Sequence, residues 1–169
     1  RLFIAIGSGN LLASGKNKMW PLQNFVRLID RLNMSIVLLG TKDEISMGEF
    51  ICKKVGNKEK ITNLIGKTNI HEMTDLFQYA DFFIGHDSGL SWFSAITKTP
   101  SLILHGPTNP KYYGPLKPWV HKIQSNSPCL NCYDFKHSTN GKMYKCKKNI
   151  CLQDLSVDSV ETKINQIFK

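Results

Sequence analysis

Apolar residues in this chain fall into short unbroken runs separated by stretches of helical spacing. Leu2–Ile6, Ser35–Leu39, Phe82–Gly85 and Ser101–Leu104 are continuous apolar segments, and Ile61–Ile65 and His121–Ile123 extend the series as shorter strands. A strand without apolar–polar alternation is buried on both faces, as in a parallel sheet covered by helices. Between the runs the period changes. After Pro21, the residues Leu22, Phe25, Val26, Ile29 and Leu32 predict one helical face up to Asn33. A second helix is predicted near Glu44–Val55. A third carries Met73, Leu76, Phe77 and Ala80 behind the capping pair Asn69 and Glu72. Two more are predicted over Trp92–Thr97 and Val157–Phe168. The alternation predicts an α/β fold, a Rossmann-like parallel sheet with helices on both faces.

The polar loops that follow the strands are the first candidates for chemistry. Phe82-Phe83-Ile84-Gly85-His86 runs into Asp87-Ser88-Gly89-Leu90, a tight loop opening a helix. Such a junction aims backbone N–H groups and a helix N-terminus at whatever binds there. The next strand ends in His105-Gly106-Pro107-Thr108-Asn109-Pro110, and the first in Gly7-Ser8-Gly9. In open α/β sheets these positions border one crevice beyond the strand ends.

Bulk properties narrow the class. At 169 residues and 41% hydrophobic, one domain with a full core is expected, residues 1–125 forming the Rossmann-like part and 126–169 a Cys-rich segment with the last helix. No apolar stretch is long enough to span a bilayer as a helix. The chain opens on Arg1 directly into a strand, which suggests a piece of a longer protein. A net charge of +9 suits a phosphorylated substrate, nucleic acid or an anionic membrane surface, or simply a lysine-rich solvated face.

Five motifs in order resemble glycosyltransferase family 9, the lipopolysaccharide heptosyltransferases and their relatives. They are Lys18-Met19-Trp20-Pro21, Leu39-Gly40 with Asp43 and Glu44, Leu64-Ile65-Gly66-Lys67-Thr68, Asp87-Ser88-Gly89 and Gly106-Pro107-Thr108. The resemblance covers nearly the whole chain and corresponds to the C-terminal, donor-binding half of such an enzyme. It implies one lobe of the two-lobed GT-B arrangement. The catalytic base and acceptor site would then lie in the other half, with no catalytic base among these residues. The implied partners are a nucleotide-diphosphate sugar, ADP-heptose foremost, and a lipid-linked or protein acceptor, in the cytoplasm with peripheral contact to the inner membrane.

The residue types suit that chemistry. A departing nucleoside diphosphate gains negative charge, which lysine, hydroxyl and backbone N–H groups stabilise. Lys18 supplies a cation, or is a surface lysine. Ser8 sits in a loop where backbone can approach a phosphate. Ser88, Gly89 and Leu90 offer N–H groups. Asp87 binds ligand or caps the helix, and Thr108 donates to phosphate or steadies its turn. Asp43 or Glu44 accepts from ribose hydroxyls, or only begins a helix. Trp92 stands where the family often has His, and His86 where it commonly has Asn. Trp92 suits ring stacking or core packing, and Ser-Gly-Leu-Ser-Trp resembles the relatives that glycosylate autotransporter proteins.

Cys129-x-x-Cys132 and Cys146-x-x-x-x-Cys151 form a second constellation, with Cys52 apart. Four thiolates in two pairs suit a structural tetrahedral Zn²⁺, or iron as the autotransporter branch would favour. Reduced thiols or disulfides are the alternatives. Lys142, Lys145, Lys147 and Lys148 would offset an anionic cluster. Two rival readings are a nucleic-acid-binding zinc module and a Rossmann-type nucleotide-binding domain without transferase activity. No aromatic-rich basic stripe supports the first. Gly7-Ser8-Gly9 lacks the third glycine of a dinucleotide fingerprint, so a Rossmann oxidoreductase has little support.

Overall fold

A computed structural model describes residues 1–8, 15–133 and 145–168. Six parallel strands form one sheet in the order β3-β2-β1-β4-β5-β6. The strands are β1 (Leu2–Ala5), β2 (Ile36–Leu39), β3 (Ile61–Asn63), β4 (Phe82–His86), β5 (Ser101–Leu104) and β6 (Val120–Ile123). The helices are α1 (Leu22–Arg31), α2 (Ile45–Lys54), α3 (Met73–Phe77), α4 (Gly89–Ile96), α5 (Ile150–Gln153) and α6 (Val157–Ile167).

The unbroken apolar runs are explained by two cores, one on each face. Leu2, Ile4, Ile36, Leu38, Phe82, Ile84, Leu102 and Leu104 join Phe25, Ile29, Ile51, Val160 and Ile164 from α1, α2 and α6. Phe3, Ala5, Val37, Leu39, Phe83 and Ile103, one position out of phase, join Met73 and Phe77 of α3 and Ala95 of α4. Period-two side chains on a strand force this split, and both halves are apolar because both faces are covered.

Local chemistry sets the element ends. Pro21 stands at the N-cap with extended backbone, so α1 starts one residue later than a first-turn proline would place it. Its other end is closed by Lys60, whose ammonium donates to Ile29 O at 2.6 Å and Leu32 O at 2.9 Å, adding a donor to the carbonyls that end the helix. Asn69 and Glu72 form the expected reciprocal cap. Asn69 Oδ1 accepts from the His71 and Glu72 N–H groups, and Glu72 Oε2 accepts from Asn69 N–H at 2.8 Å. The α4 helix begins at Gly89, three residues before the predicted Trp92, because Ser88 and Gly89 already turn into it. Among the described residues no helix is long and apolar enough to cross a membrane.

Strand order reverses between β1, which continues outward to β2 and β3, and β4, which continues to β5 and β6. This switch point leaves a crevice beyond the carboxyl ends of β1 and β4, where neighbouring connections run to opposite faces. The loops after β1, β2, β3 and β4 line it, with the loop after β5 beside that of β4.

Candidate functional site in the crevice between β1 and β4

A cavity of about 240 Å³ opens at this switch point, its wall formed by Gly7, Gly40, Thr41, Glu44, Ser88 and Leu90 among others. Glu44 is its buried acid, 1% exposed. Its Oε2 accepts from Thr41 N–H at 2.8 Å, and its carboxylate lies across the ends of β1 and β2. A Cβ on Gly7 would fall 1.7 Å from Glu44 Oε1 and one on Gly40 2.5 Å from Oε2, so only glycine lets this carboxylate in. Of the two acids singled out in the sequence, Glu44 therefore faces the cavity, while Asp43 is exposed in the short 3₁₀ turn Lys42–Glu44 ahead of α2.

The rim holds the charge. Lys18 ends a 3₁₀ turn, Gly15–Lys18, and its Nζ lies 3.5 Å from Asp87 Oδ2, with the two side chains 21% and 12% exposed. The same ammonium lies 5.3 Å from the centre of the Tyr133 ring. Asp87 is not the cap of α4. Ser88 holds the N-cap position and makes no side-chain cap hydrogen bond, so the Asp87 carboxylate is turned to the cation instead. The open N-terminus of α4 and a partly desolvated lysine thus share one rim, an arrangement that suits an anion. Ser8 sits half-buried at the end of β1, and Gly9 lies outside the described residues.

Behind the rim, the loop after β5 is tied down. Thr108 is 1% exposed and its Oγ1 lies 3.1 Å from His105 Nδ1, so its hydroxyl is engaged within the loop. Gln124 Nε2 donates to Gly106 O and Thr108 O, and Lys122 Nζ donates to Pro110 O and Tyr113 O, both at 2.7 Å. Burial pushes Lys122 below the usual lysine range. Burial also pushes His105 down to about 4, against the pull of Asp87 and with the aid of Lys122 and Lys18. His105 Nε2 is buried and has no hydrogen-bond partner among the described residues. Trp92 is 53% exposed, packed in neither core, and Ile96 one turn on is 69% exposed.

The cysteine-bearing segments attach to these same loops. Asn131 N–H donates to Gly106 O and Tyr133 N–H to Pro107 O at 2.9 Å, while Asn149 Nδ2 donates to Met19 O at 2.8 Å. Cys151 is buried against Gly106, where a Cβ would meet its sulfur at 2.9 Å. Its thiol is pushed up to about 11, first by burial and then by the neighbouring sulfurs of Cys132, Cys129 and Cys146. None of the four is joined in a disulfide among the described residues, and they lie near one another, with Cys52 apart on α2. No three His, Cys, Asp or Glu side chains among the described residues are closed into a group able to hold a metal ion. Lys145, Lys147 and Lys148 are exposed, and Lys142 lies outside the described residues.

Sequence reasoning missed Tyr133, Thr41, His105 and Lys122. Tyr133 follows Cys132 directly, but no spacing rule puts position 133 over position 18. The lysine holding the β5 loop lies on β6, a strand barely visible in the apolar pattern.

Residues 9–143 match the family model of glycosyltransferase family 9 (heptosyltransferase). The chain belongs to that family. It is 33% identical over 107 residues to lipooligosaccharide heptosyltransferase 2 of Haemophilus influenzae, a match covering 60% of this chain and 31% of that protein. Its fold is that of the E. coli ADP-heptose lipopolysaccharide heptosyltransferase II structure, with a TM-score of 0.74 at 19% identity over 98% of this chain and 45% of that one. It also matches TibC, a dodecameric iron-containing heptosyltransferase solved in complex with ADP-D-β-D-heptose, with a TM-score of 0.70 at 19% identity, covering 99% of this chain and 44% of that one. The chain thus spans less than half the length of each of these relatives.

Proposed function

We propose that this family 9 chain is the donor-binding half of an inverting GT-B glycosyltransferase, holding ADP-heptose while heptose passes to a lipopolysaccharide-core or protein acceptor. The observation that carries the reading is the rim of the β1/β4 crevice, where Lys18, Asp87 and the N-terminus of α4 meet above the Glu44 cavity. The nucleoside would enter the cavity, its ribose hydroxyls donating to Glu44 with Asp43 outside reach. The diphosphate would lie along Ser8, Lys18 and the N–H groups of Ser88, Gly89 and Leu90. Lys18 then exchanges Asp87 for phosphate oxygen. Thr108 acts through its loop, and exposed Trp92 is free to meet the sugar or the facing lobe.

In the reaction the bond between the anomeric carbon and the diphosphate oxygen breaks as an acceptor hydroxyl attacks from the opposite face. Charge gathers on the diphosphate, where a lysine and helix N–H groups favour it more than the ground state. The hydroxyl proton passes to a base in the facing half. That the E. coli relative is an ADP-heptose heptosyltransferase and TibC was solved with ADP-D-β-D-heptose supports this donor over the nucleic-acid or non-transferase readings. The same reading puts the protein in the cytoplasm, peripheral to the inner membrane, with 1–125 as the nucleotide lobe and 126–169 fastened to it.

A structural metal is part of the proposal. Four soft sulfur donors suit Zn²⁺ or iron, and TibC is iron-containing. Cys129, Cys132, Cys146 and Cys151 would be the ligands. Binding would require their deprotonation, which the raised Cys151 thiol resists until an ion replaces its proton.

Calorimetric titration tests the donor assignment. ADP and ADP-heptose are expected to bind, with GDP and UDP weaker. No heat with ADP at millimolar concentration overturns it.

A further inference from the structure

His86 ends β4 and is fully buried, its ring edge-on to Phe25 with centroids 5.7 Å apart. Both ring nitrogens face backbone. Nδ1 lies 3.0 Å from Gly7 O, and Nε2 lies 2.8 Å from Trp20 N. Neither partner is ambiguous. A carbonyl only accepts, and a peptide N–H only donates. The proton must therefore sit on Nδ1 and the lone pair on Nε2, so the ring is neutral and held in one tautomer. A protonated ring would lose the Trp20 bond and bury an unpaired charge.

The two partners are the two ends of one segment. Gly7 lies two residues past the end of β1, and Trp20 directly precedes Pro21 and α1. Ser8 adjoins the first anchor, and Lys18 lies two residues before the second. Trp20 is itself fixed in the core, its indole N–H donating to Leu155 O at 2.8 Å. His86 is also the residue immediately before Asp87, the carboxylate that faces Lys18.

We propose that His86 is a positioning residue for donor binding, a strut that ties Gly7 to Trp20 and thereby holds Lys18 at the anion rim beside Asp87. It touches no ligand and acts through Lys18. The role rests on the donor reading above. An asparagine at this position can offer an amide where Nδ1 stands but cannot reach both anchors at once, whereas the imidazole spans them.

The test uses this chain with ADP as probe and three His86 variants, each alone and combined with Lys18→Ala. His86→Phe keeps a ring and removes both bonds. His86→Asn keeps a donor for Gly7 O, and His86→Gln keeps an acceptor for Trp20 N–H. His86→Phe is expected to weaken ADP binding about tenfold or more, the loss that one or two buried hydrogen bonds entail. His86→Asn and His86→Gln should fall between it and wild type, and they carry the test should the Phe variant not fold. In the Lys18→Ala background the same His86 changes should cost less than about twofold, because the cation being positioned is gone. Long-range ¹H–¹⁵N spectra of the unliganded chain should show the proton on Nδ1, and the Trp20 amide should exchange faster in His86→Phe. Wild-type affinity in His86→Phe, an equal loss with and without Lys18, or a proton on Nε2 overturns the role while leaving the donor reading intact. Absence of ADP binding by the wild-type chain overturns the donor reading, and this role with it.

Discussion

At the scale of single residues, the site depends on a few charges held in partly dry surroundings. Lys18 is about four-fifths buried and close to a carboxylate, so its ammonium is placed before any ligand arrives. Lys18→Ala is expected to weaken ADP binding by about 1–3 kcal/mol, the range for a charge-assisted contact, with little change in melting temperature. In the proposed reading Glu44 addresses the ribose and not the phosphates. Glu44→Gln should therefore weaken ADP binding and leave the affinity for inorganic pyrophosphate unchanged, and equal losses for both ligands would place Glu44 elsewhere in the mechanism.

Two buried histidines set a pH dependence. His86 and His105 are each pushed down to about 4, burial being the chief cause. In the unfolded chain they titrate near the ordinary value of about 6.5. As pH falls through 6.5 the unfolded chain takes up protons that the folded chain refuses, so folding stability drops between about pH 6.5 and 4 and stops falling from this cause below it. His86 alone accounts for roughly 3 kcal/mol across the window. Urea midpoints at several pH values should slope downward over that range and slope less in His86→Phe; a flat profile in the wild type would contradict the burial account.

At the scale of elements, most of the fold was legible because burial on both sheet faces writes itself as unbroken apolar runs. Ser101–Leu104 was read to the residue, and β1, β2 and β4 within one position at an end. The capping pair Asn69 and Glu72 worked for the same reason: its bonds are local. What stayed hidden depends on contacts far apart in sequence. Glu44 is separated from Asp43 only by which one faces Gly7, a residue 37 positions upstream. Asp87 resembles a helix cap until Lys18 is placed beside it. The strut formed by His86 spans 79 positions to Gly7 and 66 to Trp20. The motifs named the loops, and the topology decided which side chains meet.

The cysteine segments illustrate the same limit. Their pairing was visible as spacing, but their attachment to Gly106, Pro107 and Met19 through Asn131, Tyr133 and Asn149 was not. That attachment gives the proposed metal a reach beyond its own segment. Elemental analysis of protein purified without added metal should find about one equivalent of iron or zinc, the stoichiometry of a Cys₄ site. Chelation should speed amide exchange over 129–133 and 145–151 while the sheet holds, and should weaken ADP binding through Tyr133 and Met19. Under a tenth of an equivalent of any transition metal, with these thiols all titrating freely, would remove the metal from the account.

At the scale of the whole molecule, the proposal gives donor binding to this lobe, and transfer would require another surface to orient the acceptor hydroxyl and take its proton. These 169 residues alone are expected to bind ADP-heptose yet transfer no sugar, and detectable transfer by them would show that a base lies within this lobe. The half-exposed Trp92 and exposed Ile96 lie on α4, whose first turn forms the anion rim. Substituting Trp92 should leave the fold unchanged, because neither core contains it.

The central claim is that a nucleoside diphosphate sits in the crevice between β1 and β4. Amide exchange of this chain with and without saturating ADP tests it most directly. The account predicts protection at Gly7–Ser8, Gly40–Glu44 and Ser88–Leu90, with the opposite end of the sheet unchanged. Protection confined to the cysteine segments, or none at all while ADP is bound, would contradict it.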